Sequence, residues 1–289
     1  MKKIIFTSIL FLVIVGVSFT NNPEPIKKKK QVYLFAGQSN MDGRANGGDL
    51  SEKDLARLEK VAHRIEFYFN HKPVSLLQLT KATKFIAKKF GSNKIFGPEL
   101  FFGIEMAEKY PKDEFIFIKR SRGGTSLYGT WNPNWSEEKA KETKEEKLLK
   151  LFYDFKDYVK KTLSHYESDT YEIKGMLWVQ GEADSNVKNY GKNPSETYAE
   201  NLRNLISDVR KEMNVPNMPF AMFQVGKGKV VDNMIEVAKS DDNVFLIPQS
   251  EEESSQDYYP QYPKPLGHYT TESMKRIGVK FFEIFEKVK

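Results

Sequence analysis

The sequence of 289 residues contains no cysteine. This excludes disulfide staples, thiolate metal sites, a cysteine nucleophile and an acylated-cysteine lipid anchor. Histidine is nearly as scarce: His63, His71, His165 and His268 are all there are. None stands in an HExxH or similar zinc spacing. The phosphate-cradling pattern GxxxxGK and the dinucleotide pattern GxGxxG are missing too. Basicity is also less than the formal charge of +6 suggests. The first 30 residues hold six lysines (Lys2, Lys3, Lys27, Lys28, Lys29, Lys30) against one acid, Glu24. The remainder is close to neutral and lacks the cation excess with which a nucleic-acid binder meets phosphates. We expect no nucleic-acid partner. No internal repeat is present.

What the chain does have is core material. Hydrophobic residues make up 39% and Phe alone counts 21, so a chain of this length can bury a large core without staples. The N-terminus has the form of an export signal. Lys2 and Lys3 precede an apolar run from Ile4 to Val17, and Gly16-Val17-Ser18 offers small residues for cleavage. An uncleaved membrane anchor is the rival reading, although the run is short against the ~20 residues a span needs. Residues 1–20 are thus a signal peptide or anchor, 21–30 a polar basic tether, and 31–289 one domain. The expected location is exported, periplasmic or extracellular, with a possible membrane tether.

Short apolar runs read as buried strands: Val32 to Ala36 ending at Gly37, Phe115 to Ile118, Ile173 to Val179, Pro219 to Phe223 and Asn243 to Ile247. Runs without polar alternation suit a parallel sheet covered on both faces. Helical spacing lies between them. Asn193-Pro194-Ser195-Glu196 predicts a helix start with Asn193 as cap, followed by Tyr198, Leu202, Leu205, Val209 and Met213 at helical intervals. Pro98 opens another helix, Thr270 starts the last, and Glu137 to Lys150 reads as a solvated helical face leading into a packed one. Strands alternating with helices predict an α/β layer architecture. Residues 42–96 are irregular and read as an excursion, with a small hairpin region near the site.

Three of these strands end in compact polar segments. Gly37-Gln38-Ser39-Asn40-Met41 follows the first, Ser121-Arg122-Gly123-Gly124-Thr125-Ser126 the second, and Gln180-Gly181-Glu182-Ala183-Asp184 the third. Ligand sites collect at the C-terminal edge of open α/β sheets. A serine there can turn its hydroxyl into a crevice; the bland alternative is a helix cap. Backbone amides of the glycine pair can meet an anionic tetrahedral intermediate. Gln180 can donate to the same oxyanion, and Glu182 can orient a histidine or be only a surface carboxylate. His268 sits at a loop-to-helix junction from which it can reach the sheet edge, and a neutral imidazole is the usual base for a serine.

Taken together these blocks resemble the SGNH/GDSL-type hydrolases. The closer resemblance is to the carbohydrate acetylesterase branch that includes acetylxylan esterases and sialate O-acetylesterases. The blocks are Gly37 to Met41 with Gly43 and Arg44, Phe96-Gly97-Pro98-Glu99-Leu100 with Phe102-Gly103, Gly123 to Leu127 with Trp131, Trp178 to Glu182, and His268 with Gly278. The resemblance implies a flavodoxin-like three-layer α/β/α sandwich with a mostly parallel central sheet. It also implies a serine esterase that removes O-acetyl groups from oligo- or polysaccharides through an acetyl-serine, without metal or organic cofactor. By position, Ser39 is nucleophile and first oxyanion amide, Gly124 the second donor, Gln180 the third, and His268 the base. Arg44, Arg122 and Trp131 are expected on the sugar side, with core packing as the alternative for Trp131 and an ion pair with Glu182 as the alternative for Arg122.

One departure stands out. Many members of the branch carry an aspartate three residues before the histidine, where this chain has Pro265. Glu182 is the first choice for the missing carboxylate, and Glu182→Gln should then keep the fold and lose most acetyl release. Asp257 and the Glu251-Glu252-Glu253 run are second choices. Pro265 also motivates a rival, a catalytically weak or silent carbohydrate-binding protein; a lipase or thioesterase on the same scaffold is another.

Overall fold

The computed structural model describes residues 28–288. The signal or anchor expected at 1–20 and most of the tether therefore lie outside the described residues. Within them, no helix is long and apolar enough to cross a membrane.

Among the described residues ten strands are formed: β1 (Lys30–Gly37), β2 (Ala45–Asn46), β3 (Ile65–Phe69), β4 (Ser75–Leu76), β5 (Thr80–Lys81), β6 (Lys94–Phe96), β7 (Phe115–Ser121), β8 (Tyr171–Val179), β9 (Phe220–Phe223) and β10 (Val244–Ile247). Seven make the central sheet in the order β10-β9-β8-β1-β7-β3-β4, parallel except for the edge strand β4. The five expected strands are all in it. Lys30 is already the first residue of β1, so the expected tether is shorter by that residue.

Alternate residues of β1 and β8 pack on opposite faces of the sheet within one continuous core. Tyr33 and Phe35 meet Phe102 edge-on, and Tyr33 also meets Phe285. These rings belong to the helices Glu99–Lys109 and Thr271–Lys287. Trp178 meets Trp131 edge-on, and Trp131 meets Phe155 of the helix Leu151–Leu163. With helices on both faces, the architecture is the expected α/β/α sandwich.

Two helical expectations are corrected. Asn193 is not a cap: Asn193–Glu196 is a single turn of its own, and the long helix runs Tyr198–Glu212. Its apolar stripe buries Tyr198, Leu202, Leu205 and Val209 as the spacing required. The charged stretch after Glu137 is helical only to Glu142. The chain breaks at Thr143, and Lys144 takes a positive φ of 58°. That break turns Glu145 inward to bind backbone amides, a use no solvated helical face would allow.

The excursion 42–96 contributes β3 and the edge strand β4 to the main sheet and an antiparallel trio, β2-β6-β5, to a small second sheet. β3 is hard to read in sequence because its Ile65-Glu66-Phe67-Tyr68-Phe69 alternation lies in an otherwise irregular stretch. The small sheet buttresses the loop before His268. Phe90 packs on Tyr262 with ring centroids 5.0 Å apart. The Tyr262 hydroxyl accepts from the Asn46 and Thr271 amides at 3.3 and 3.1 Å.

Candidate active site

Register at the sheet centre brings the three polar segments together. Gly37 pairs with Ser121 of β7 on one side and with Val179 of β8 on the other. The segments that follow these residues therefore leave the same edge side by side. Gly37 is required there because a β-carbon would stand 2.1 Å from the Val179 carbonyl oxygen, and its φ of 149° disfavours any side chain.

Ser39 opens a single helical turn, Ser39–Asp42, in which Gln38 holds the cap position. The reading of Ser39 as a helix cap is thereby excluded. The hydroxyl-bearing residue is half-buried beside the glycine loop: a β-carbon on Gly123 would lie 3.4 Å from Ser39 Cβ, while one on Gly124 would face open space.

The loop is held from beneath by two buried carboxylates. Asp184 accepts from the Leu127 and Tyr128 amides, both at 2.9 Å, and from Gln180 Nε2 at 2.5 Å. Glu145 accepts from the Ser126 and Thr130 amides at 2.6 and 2.8 Å and from Ser126 Oγ at 2.8 Å. Burial pushes Asp184 up to about 7, against the pull of its hydrogen bonds. Glu145 is raised for the same reason.

His268 is brought to this edge by the last loop. Its carbonyl accepts from the Tyr262 amide at 2.7 Å, and the next residue's amide, Tyr269 N–H, reaches Asn40 Oδ1 at 3.5 Å. Burial and the Arg44 cation lower its pKa. A hydrogen bond to the Leu266 carbonyl and the Asp42 carboxylate pull it back up. Gly267, between donor and acceptor, has the left-handed φ of 58° that this tight return uses.

Glu182 does not fill that role. Its Oε1 accepts from Asn40 Nδ2 at 2.6 Å, and its Oε2 is buried with no hydrogen-bond partner. Burial raises its pKa, and the Asn40 amide opposes the rise. Asp257 and the Glu251 to Glu253 run make no contact with the imidazole either; the carboxylate whose field reaches it is Asp42.

Two further expectations fail on burial. The Gln180 carboxamide is fully enclosed. Its Nε2 donates to Asp184, to the Thr125 carbonyl at 3.0 Å and to Gln38 Oε1 at 3.4 Å, and its Oε1 accepts from the Tyr198 hydroxyl. It has no donor left for an oxyanion and instead ties three segments together. Trp131 is 0% exposed, with Nε1 donating to Thr125 Oγ1 at 3.0 Å, so it is core and cannot stack on a sugar.

Arg44 is in the site, paired with Asp42 at 2.7 Å and within reach of the Gly123 position. Arg122 is exposed on the glycine loop and makes no ion pair with Glu182. Beneath the serine turn lies a buried ion pair whose partners stand 20 residues apart and carry no pairing signal in the sequence. Lys119 Nζ meets Glu99 Oε2 at 2.7 Å and donates to the Asp42 carbonyl at 3.2 Å.

An open cavity of about 510 Å³ adjoins Glu182 and is rimmed by Lys188, Lys227 and Lys229 with Asn186 and Ser195. A larger one, about 740 Å³ between the helices Tyr198–Glu212 and Lys229–Lys239, holds none of the strand-end segments.

The family model described as carbohydrate esterase, sialic acid-specific acetylesterase, matches residues 29–287. The chain belongs to this family. It is therefore a carboxylic ester hydrolase, and its substrates are carbohydrates. The esterase is similar in fold to a protein of Arabidopsis thaliana at 18% identity and a TM-score of 0.64, over 90% of this chain and 98% of that one. It is also similar to NanS, at 12% identity and a TM-score of 0.61, over 91% and 99% of the two chains. A carbohydrate acetylesterase of Xanthomonas citri aligns at 14% identity and a TM-score of 0.54, over 87% of this chain and 54% of that one. No curated protein sequence matches the esterase significantly.

Proposed function

We propose that this esterase releases acetyl groups from O-acetylated carbohydrates through an acetyl-serine formed on Ser39. The observation that carries the reading is the meeting, at the C-terminal edge of β1, of the Ser39 turn, the Gly123-Gly124 loop and the segment bearing His268. His268 takes the hydroxyl proton as Ser39 attacks the acetyl carbonyl. Charge on the carbonyl oxygen is met by the backbone amides of Ser39 and Gly124. The sugar hydroxyl leaves with the proton from His268, and water clears the acetyl group by the same route. The lysine-rimmed cavity beside this edge supports an anionic sugar as the substrate.

The test is acetate release from acetylated xylan, other acetylated polysaccharides and O-acetyl sialosides, set against long-chain acyl esters. We expect acetylated sugars to be hydrolysed, anionic ones best, with Ser39→Ala and His268→Ala each reducing kcat by roughly 10³-fold or more. Full turnover by Ser39→Ala would overturn the assignment. Hydrolysis of long-chain esters alone would replace the acetylesterase with a lipase. The Lys2-Lys3 and Ile4 to Val17 pattern further supports export, which fractionation of the producing cell would check.

A further inference from the structure

We propose that Asn40 is a positioning residue that clamps the turn carrying Ser39 to the loop carrying His268, and that Glu182 acts through Asn40 and not as the partner of the imidazole. This rests on Ser39 being the nucleophile.

The geometry uses both ends of one buried carboxamide. Asn40 Nδ2 donates to Glu182 Oε1 at 2.6 Å, and Asn40 Oδ1 accepts from the Tyr269 amide at 3.5 Å. Asn40 follows Ser39 directly, and Tyr269 follows His268 directly. One planar group therefore ties together the backbones of the two residues that must exchange a proton, across 229 positions of sequence.

Glu182 decides which way that group faces. A carboxylate only accepts hydrogen bonds, so it selects the Asn40 amino group and leaves the carbonyl oxygen for the Tyr269 amide. With the amide flipped, oxygen would meet carboxylate and N–H would meet N–H, two repulsions in place of two bonds. The Glu182 carboxylate is enclosed and approaches from β8, while Asn40 is 3% exposed and leaves β1. The clamp thus joins the ends of two neighbouring strands to the C-terminal loop. Neither Glu182 oxygen is bonded to the imidazole: Oε1 takes the Asn40 amide and Oε2 has no hydrogen-bond partner.

A polarity swap tests this. Asn40→Asp places a second carboxylate 2.6 Å from Glu182, and kcat should fall by roughly 100-fold or more. The double variant Asn40→Asp with Glu182→Gln restores a donor facing an acceptor and leaves an Asp oxygen for the Tyr269 amide. It should recover at least tenfold over Asn40→Asp, with most of the change in kcat and little in KM. Glu182→Gln alone still offers an oxygen to Asn40. It should cost less than tenfold and leave the acidic limb of the kcat–pH profile in place, which loss of an imidazole partner would move. Should Asn40→Asp fail to fold, as read by its melting curve, the position of the Glu182→Gln limb decides alone.

A Glu182→Gln enzyme with a shifted limb, or a folded double variant no faster than Asn40→Asp, overturns the clamp. The rate of Ser39 modification by an organophosphonate ester, measured in the same variants, separates the two readings. A protein that is phosphonylated at Ser39 but releases no acetate sinks the acetylesterase proposal while the modification rates still judge the clamp. Wild-type protein inert to both reagents overturns both.

Discussion

Gly123 lies against Ser39, so close that a β-carbon on it would stand 3.4 Å from the serine Cβ and 3.4 Å from Nη2 of Arg44. Those contacts are tight but not clashing, and the glycine's backbone is not in the left-handed region. Gly123→Ala should therefore fold normally. The new methyl would stand beside the serine where substrate must pass. We expect kcat/KM on an acetylated sugar to fall at least tenfold with a melting temperature unchanged within a few degrees. An alanine variant at full rate would show that substrate does not approach Ser39 across this loop.

The acidic limb of kcat/KM should lie below the ordinary imidazole value near 6.5, because burial and the Arg44 cation disfavour the protonated His268. Removing the cation favours protonation, so Arg44→Gln should move the limb to higher pH. Removing the opposing carboxylate in Asp42→Asn should move it lower. The same depressed pKa means that the unfolded chain binds the proton more readily. His268 therefore contributes stability above pH 6.5 that is lost as pH falls through the lower folded value. Rate profiles of the three proteins decide the sign.

Asp184 offers two acceptor oxygens to three donors. Asp184→Asn replaces one of those oxygens with an amino group facing an N–H. The penalty for a buried donor left unsatisfied is about 1–3 kcal/mol. At 2–4 °C per kcal/mol, the melting temperature should drop by roughly 2–12 °C. Since a raised carboxyl pKa favours the folded state most at low pH, the Asp184 contribution is full below the unfolded value of 3.8 and fades as pH rises through about 7. Melting curves at pH 5 and pH 8 should reflect that trend in wild-type protein and lose it in the variant.

Lys119→Met should disrupt the fold strongly. It leaves the Glu99 carboxylate, 1% exposed, without its cation. Breaking a buried pair from one side costs about 3–5 kcal/mol. The companion Lys119→Met with Glu99→Leu should regain much of that stability but not the hydrogen bond to the Asp42 carbonyl that steadies the serine turn. Stability and kcat should therefore recover to different extents, a split that denaturant titration and steady-state rates would show.

For Trp131, burial makes stability the quantity at risk. Trp131→Ala should destabilise the fold by about 3–5 kcal/mol. Trp131→Phe should be milder and leave KM for sugar unchanged. A raised KM in a stable Trp131→Phe enzyme would restore the stacking role that its enclosure between Trp178 and Phe155 denies.

The sheet was legible because its strands are buried on both faces and so read as unbroken apolar runs; β7 has no exposed residue at all. Gly37, Ser39 and the glycine pair were legible because they punctuate strand ends. Partnership was not. Asn40, Glu182, Gln180 and Asp184 are all polar residues at strand ends, and the sequence cannot say which donor faces which acceptor across 142 positions. Hence strand-end position alone points Gln180 at an oxyanion although its N–H groups are engaged elsewhere, and Glu182 at a histidine with which it shares no hydrogen bond.

The hydroxyl turn lies at the start of the first strand's exit and its proposed proton acceptor just ahead of the final helix, Thr271–Lys287. That helix packs on Glu99–Lys109, and its Arg276 holds the Tyr258 carbonyl at 2.8 Å, so the last loop is shaped only when the C-terminal segment has docked. During synthesis, a chain still lacking this segment can present a serine and a glycine loop but no imidazole beside them. Under the role proposed for His268, hydrolytic competence therefore depends on the docking of a helix at the far end of the sequence from the serine turn.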